Sequence, residues 1–516
     1  MDAPEVEDEE DGHRWDPSSL TAVVVGAGLS GSLAAHYLAM RGYSVRVLER
    51  GPRPRAGDAA GGPLVLTSRA AIAFEELRMD SQRRVGPTAT PLRGVWDVVG
   101  RSLRPVDTTS PLRRVFVTDR SGLVADIVDA AERRYPGKVI FQFNTELVRA
   151  ELKNRTAVVR PTRAAAAGTP AAAAAAGPVP AEELAGLSDD ERDEPYDLLV
   201  GADGADSTVR RILTAKVKDL KIIRPVEDAA ASKNVSRLPR PSKEPLPGFF
   251  THRPQEYMYE WSAPASTSAS RPSLALYVDA DGSVAGTVSG LSRWDDADAA
   301  AAELAAAFPD SLPPEWAQEI GRQVAAPSSP APCRQAILQC SQFHGPRAVL
   351  LGDAAHQVTG ATPPGAGSGQ GPSAAVESVR TLALVLRGAQ DDLEKVPEVY
   401  TKVRADAVMA MQMLEFMELT RGPHREALKY ASAWFAFSAA ITQGLRILSE
   451  MVGGLLAALM PKRFLTVDQL VSKLSDRRIG YAEVMRMMQG YAMPVIMLFL
   501  AGTFFALFQG YSRILA

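Results

Sequence analysis

Glycines and carboxylates at regular spacing carry the chemistry suggested by this sequence. Gly26-Ala27-Gly28-Leu-Ser-Gly31 has the spacing of a dinucleotide-binding turn. Gly26 makes the turn, Gly28 lets a pyrophosphate approach, and Gly31 lets helix and strand pack closely. Glu49, 18 residues past Gly31 and followed by Arg50, puts a carboxylate where ribose hydroxyls would lie. A second stretch, Leu350 to Glu377, runs from an apolar segment into Gly352-Asp353. It continues through a loop holding Pro364, Gly365, Gly367, Gly369, Gln370 and Gly371, then takes helical spacing at Val376, Val379, Leu382 and Leu386. A helix start beside a glycine loop attracts negative charge. In a third stretch, Gly201-Ala-Asp203-Gly204, Asp203 stands where it could cap the helix begun by Ser207 and Thr208.

These residues need a βαβ frame, and the sequence provides one. Ala22–Val25 reads as a buried parallel strand, Ser32–Arg41 as a helix ended by Gly42, and Tyr43–Leu48 as the next strand. The fingerprint alone does not separate FAD from NAD. Further along, Thr67–Arg84 has a helical pattern and Val115–Val117 a short strand. Asp119-Arg120 opens a helix to about Arg134, and Val139–Phe143 alternates as a strand. Tyr196–Val200 is another buried strand. Between Phe249 and Val288, strand-like runs flank an Asp281-Gly282 hairpin turn.

With 516 residues, 46% apolar and 23% charged, the chain suits a soluble globular protein of two to four domains. A net charge of −3 offers no general argument for nucleic-acid binding. Cys333 and Cys340 cannot build a disulfide framework, which suggests a reducing compartment. Six scattered histidines give no zinc site, and the expectation is that no metal is bound. His356 reads as a packing residue. Residues 1–18 read as an acidic disordered tail, and 162–194, rich in Ala and Pro, as a surface insertion without its own core.

In this order, GAGLSG, GADGADSTVR and LLGDAAHQVTGATPPGAGSGQG resemble the three nucleotide motifs of the FAD-dependent aromatic hydroxylases, the single-component flavin monooxygenases. The resemblance implies an α/β fold: a Rossmann-like FAD-binding domain with an antiparallel-sheet substrate domain, a C-terminal helical region and a hydrophobic tail helix. It also implies FAD laid along the chain. Gly26, Ala27, Gly28, Gly31, Glu49 and Arg50 would hold its adenosine end, Arg120 and Asp203 its middle, and Gly352 and Asp353 its ribityl chain. Pro364, Gly367, Gly369, Gln370 and Gly371 would lie beside the flavin ring. NAD(P)H would visit transiently to reduce the flavin. One atom of O2 would then pass through a flavin hydroperoxide to an electron-rich ring, with no catalytic side chain required.

Within that family, several segments resemble the kynurenine 3-monooxygenase branch: Cys340–His344, Asp406–Leu419, Leu455–Phe464 and Ser475–Val484. The implied layout is a core at 19–400 with an interleaved substrate sheet (about 85–115 and 220–335), helices at 401–489 and a tail anchor at 490–512. Ala492–Phe508 carries no charge, and at 1.5 Å per residue it spans roughly 25 Å. The expectation is a C-terminally anchored membrane protein with its catalytic part facing the cytosol, the outer mitochondrial membrane being the candidate compartment.

The substrate residues depart from that branch. The arginine and tyrosine that hold an amino-acid carboxylate there fall near Val95 and Thr109, with Arg93 two residues away. Ser373 replaces an asparagine, Phe416 a tyrosine, and Glu377 is retained. Three readings follow: a related monooxygenase acting on another aromatic or lipophilic small molecule, kynurenine 3-monooxygenase itself with Arg93 as the clamp, or a membrane flavoprotein with little hydroxylase activity.

Overall fold

The computed structural model describes residues 15–56, 62–79, 85, 89–106, 110–162, 191–263, 272–279, 281–327, 332–358, 370–419, 433–460, 464–466, 469–470, 473–491 and 501–502. Its first layer is a sheet in the order 344–345, 348–350, 198–201, 21–25, 44–49, 139–143. The four strands from 198–201 to 139–143 and the 348–350 strand are mutually parallel, with Ala22 opposite both Leu198 and Val45. Val23, Val24, Val47 and Leu199 are fully buried, as a parallel strand covered on both faces requires. Helix α1 (Leu29–Arg41) ends where Gly42, at φ +125°, turns the chain and bonds back to Leu38 and Ala39.

Helix α2 (Ser68–Glu76) is shorter than the helical pattern to Arg84 predicts. Arg78 takes φ +48°, a left-handed conformation that ends a helix, and residues 80–84 lie outside the described set. Helix α3 (Arg120–Arg134) starts under Asp119, whose carboxylate accepts from the Ser121 and Gly122 amides. Helix α4 (Thr208–Lys216) starts under Ser207.

The second layer is an eight-stranded sheet in the order 356–357, 333–340, 222–238, 284–289, 273–278, 257–262, 94–97, 102–105. It joins the two expected substrate-sheet segments, and the 273–278/284–289 hairpin turns at Gly282. The sheet is not wholly antiparallel. The 94–97 strand enters from the first half of the chain and runs parallel to 257–262. Helices α5 (Ala297–Ala307) and α6 (Pro314–Ala325) cover one face, around Trp261, Phe308 and Trp316.

The Ala/Pro-rich insertion ends earlier than 194. Arg192–Pro195 is a strand paired antiparallel with Thr156–Pro161, and the buried Glu194 pairs with Arg46 of the 44–49 strand. Residues 163–190 lie outside the described set.

The third layer is helical: α7 (Gln370–Gly388), α8 (Val396–Leu419) and α9 (Ala433–Leu459). Among the described residues, no helix is long and apolar enough to cross a membrane. The expected tail at 490–512 lies outside the described residues except for 490–491 and 501–502.

A candidate dinucleotide cradle

Three loops converge at the carboxyl ends of the parallel strands. Gly26, at φ +97°, follows the first strand, and a Cβ there would lie 2.4 Å from Ala202 O, in the Gly201–Gly204 loop. A Cβ on Gly31 would lie 1.8 Å from Gly26 O. Gly352, at φ +57°, approaches from the other side, where a Cβ would lie 2.5 Å from Ser30 Oγ. Only glycine permits such close backbone approaches. A Cβ on Gly28, by contrast, would meet nothing within 4 Å, and no side chain caps the first-turn amides of α1. The turn therefore offers open backbone and free N–H groups to an anion.

Glu49 closes one end. Its Oε2 accepts from the Ala27 amide at 2.8 Å and its Oε1 from the Gly51 amide at 2.7 Å, so the carboxylate is fixed beside the turn. Arg50 is exposed next to it. Arg120 begins α3, is exposed, and donates its backbone N–H to Gly62 O at 3.1 Å. Its charge acts on Asp353, which faces the cradle while the surrounding protein raises its pKa; Arg120 and Arg210 oppose that rise. Asp203 takes the capping role: Oδ2 accepts from the Thr208 and Val209 amides at 2.6 and 3.1 Å, and Oδ1 from the Ser207 hydroxyl. Burial pushes its pKa up and those hydrogen bonds pull it down. Asp203 thus holds the α4 start and the third loop in place.

Arg210 was not singled out in the sequence. It is buried and donates to Asp353 O, Ala354 O and Ala205 O, tying the second and third motifs together. Its position inside the GADGADSTVR run was the available signal.

Among the described residues, each expected substrate position is engaged by neighbours of its own. Arg93 is half-exposed and pairs with Glu256 at 2.7 Å. Val95 is fully buried with Leu92, Met258 and Tyr277. Ser373 is fully buried, and its Oγ accepts from the Thr67 amide and hydroxyl at 3.0 and 3.1 Å. Glu377 lies between two buried guanidiniums, Arg69 at 3.0 Å and Arg404 at 3.2 Å. Gln370 and Gly371 open α7, where a Cβ on Gly371 would lie 2.5 Å from Val358. Pro364, Gly367, Gly369 and Thr109 lie outside the described residues, as does the Phe416 side chain. His356 is buried; its Nε2 pairs with Ser378 Oγ at 2.9 Å, and burial beside Arg404 pushes its pKa down to about 3, so it packs as a neutral ring.

A separate cleft of about 1120 Å³ opens between α3 and the large sheet. It borders Gly62 and Asp119 but contains none of the cradle glycines, so its size does not define the dinucleotide site.

A family model described as an NAD(P)-binding Rossmann-like domain matches residues 24–64, which span the glycine turn and Glu49. Over 198 residues, the chain is 32% identical to kynurenine 3-monooxygenase of Salinispora arenicola (strain CNS-205) and 31% identical to that of Salinispora tropica. Each match covers 37% of this chain and 37% of the relative. The fold is shared with 2-methyl-3-hydroxypyridine-5-carboxylic acid oxygenase (TM-score 0.56, 16% identity, 82% of this chain and 96% of that one). It is also shared with Klebsiella pneumoniae HpxO complexed with FAD and uric acid (TM-score 0.54, 20% identity, 84% and 97%). The chain thus resembles the kynurenine 3-monooxygenases in sequence over about a third of their length, and shares its fold with these two solved structures.

Proposed function

We propose that this chain is an FAD-dependent monooxygenase that consumes NAD(P)H and O2 to hydroxylate a small aromatic or lipophilic molecule other than kynurenine. The carrying observation is the convergence of three motifs, distant in sequence, on one cradle with open backbone at Gly28, a carboxylate fixed by two backbone amides at Glu49 and an exposed carboxylate at Asp353. Bound FAD would supply the redox and oxygen chemistry. Glu49 would hold the ribose, the α1 amides and Arg120 the pyrophosphate, and Asp353 the ribityl hydroxyls. The apolar strands and α7 would keep water from the reacting end.

The substrate reading rests on the clamp positions. A carboxylate-bearing amino acid needs a free guanidinium for bidentate pairing. Arg93 is already paired with Glu256, Val95 is apolar and buried, and Glu377 is held by Arg69 and Arg404. Purified protein given NADPH and either kynurenine or a panel of uncharged aromatic compounds tests this. Faster NADPH oxidation with members of the panel and not with kynurenine is expected; clear formation of 3-hydroxykynurenine overturns it.

Membrane attachment belongs to the same proposal. Ala492–Phe508 is uncharged, and on α9 Ile447, Met451, Leu455 and Leu459 recur every fourth residue at 49–68% exposure. A one-sided apolar stripe of this kind suits a bilayer surface.

A further inference from the structure

Tyr481 lies more than a hundred residues from Gln370, yet the two side chains meet in the interior. The Tyr481 hydroxyl donates to Gln370 Oε1 at 2.9 Å, and the residues are 1% and 4% exposed. This contact uses the acceptor of the Gln370 amide and leaves its NH2 as a donor with no partner among the described residues. Gln370 opens α7, directly after the glycine loop.

The tyrosine is itself held firmly. The Arg69 guanidinium lies 4.3 Å over its ring and donates to Leu474 O, Ile479 O and Glu377. Arg477 pairs with Glu75 at 2.9 Å, and Arg113 with Asp476 at 3.4 Å. The C-terminal segment 473–481 is thereby fastened to α2 and to the turn at 111–113. A buried side-chain amide can sit in either of two flipped orientations, and with the Tyr481 hydroxyl donating to Oε1 the Gln370 NH2 is turned away from the tyrosine.

We propose that Tyr481 is a positioning residue: by orienting the Gln370 amide, it presents an N–H donor to a carbonyl or ring-nitrogen acceptor of the flavin, so that the C-terminal segment helps place the ring. This rests on the FAD reading above. Its test is a double-mutant cycle on the full chain, comparing wild type, Tyr481→Phe, Gln370→Ala and the double variant. FAD affinity would be read by flavin fluorescence, the bound-flavin absorbance spectrum recorded, and the melting temperature of the FAD-free protein measured. Tyr481→Phe keeps the ring under Arg69 and removes one hydrogen bond, so a roughly five-fold weaker FAD affinity and a shifted flavin spectrum are expected, with the FAD-free melting temperature lowered by no more than a few degrees. The double variant should bind FAD no more weakly than Gln370→Ala. Wild-type affinity and spectrum in Tyr481→Phe, or additive losses in the double variant, overturn the proposal. Failure of the wild-type chain to bind FAD overturns the cofactor reading instead.

Discussion

Gly31 tolerates a side chain least of the cradle glycines, because a Cβ there would lie 1.8 Å from Gly26 O. Backbone, rather than a flexible side-chain tip, would have to move. Gly31→Ala is expected to cost about 1–3 kcal/mol of stability and most of the FAD affinity, read by denaturant unfolding and flavin content. Gly28→Ala meets no protein atom within 4 Å. It should fold like wild type and lose cofactor affinity only. The contrast separates a packing glycine from one that leaves room for a ligand. At Glu377 the charge balance decides. Glu377→Gln leaves Arg69 and Arg404, 3% and 5% exposed at their side chains, without their carboxylate partner. A loss of about 3 kcal/mol is expected in urea melts. His356 gives a pH signature. Its folded pKa of about 3 lies below the unfolded value of 6.5, so the unfolded state binds the extra proton between those values. Stability contributed by the neutral ring is present above pH 6.5 and falls as pH drops toward 3, by up to about 1.4 kcal/mol per pH unit. Replacing the ring by Gln should flatten the unfolding free energy against pH in that window.

The elements that carry the cradle were largely legible in the sequence. Apolar residues at Ala22–Val25 and Leu198–Val200 marked strands buried on both faces, and Gly42 marked the end of α1. What escaped has a common physical cause. Arg210, Arg69 and Tyr481 act by joining distant segments, and one-dimensional periodicity does not register a partner a hundred or more residues away. Asp203 shows the same limit: the sequence left open whether it caps a helix or touches a nucleotide, and its hydrogen bonds go to the Ser207 hydroxyl and the Thr208 and Val209 amides. The strand Arg192–Pro195 was hidden by its polar composition, since its stability comes from pairing with Thr156–Pro161 rather than from apolar alternation. That pairing yields an element-level prediction. Because the two strands are antiparallel neighbours, a short Gly-rich turn should replace 163–190 with less than about 1 kcal/mol change in stability and unaltered flavin content.

At the scale of the whole molecule, a dinucleotide layer, a mixed sheet and a helical layer surround one cradle, and the C-terminal segment is fastened to α2 and α7. Truncation after Tyr491 keeps the Tyr481–Gln370 contact and Arg69 stacking while removing the uncharged Ala492–Phe508 stretch. Such a chain should retain FAD and move from the membrane fraction toward the supernatant, with the α9 stripe leaving residual lipid binding. The central claim, that the three glycine motifs form an FAD cradle, is tested most directly by calorimetric titration of FAD and of NAD+ into the cofactor-free protein. Stoichiometric, tight FAD binding with weak or absent NAD+ binding is the predicted result; tight NAD+ binding with no FAD uptake would contradict it.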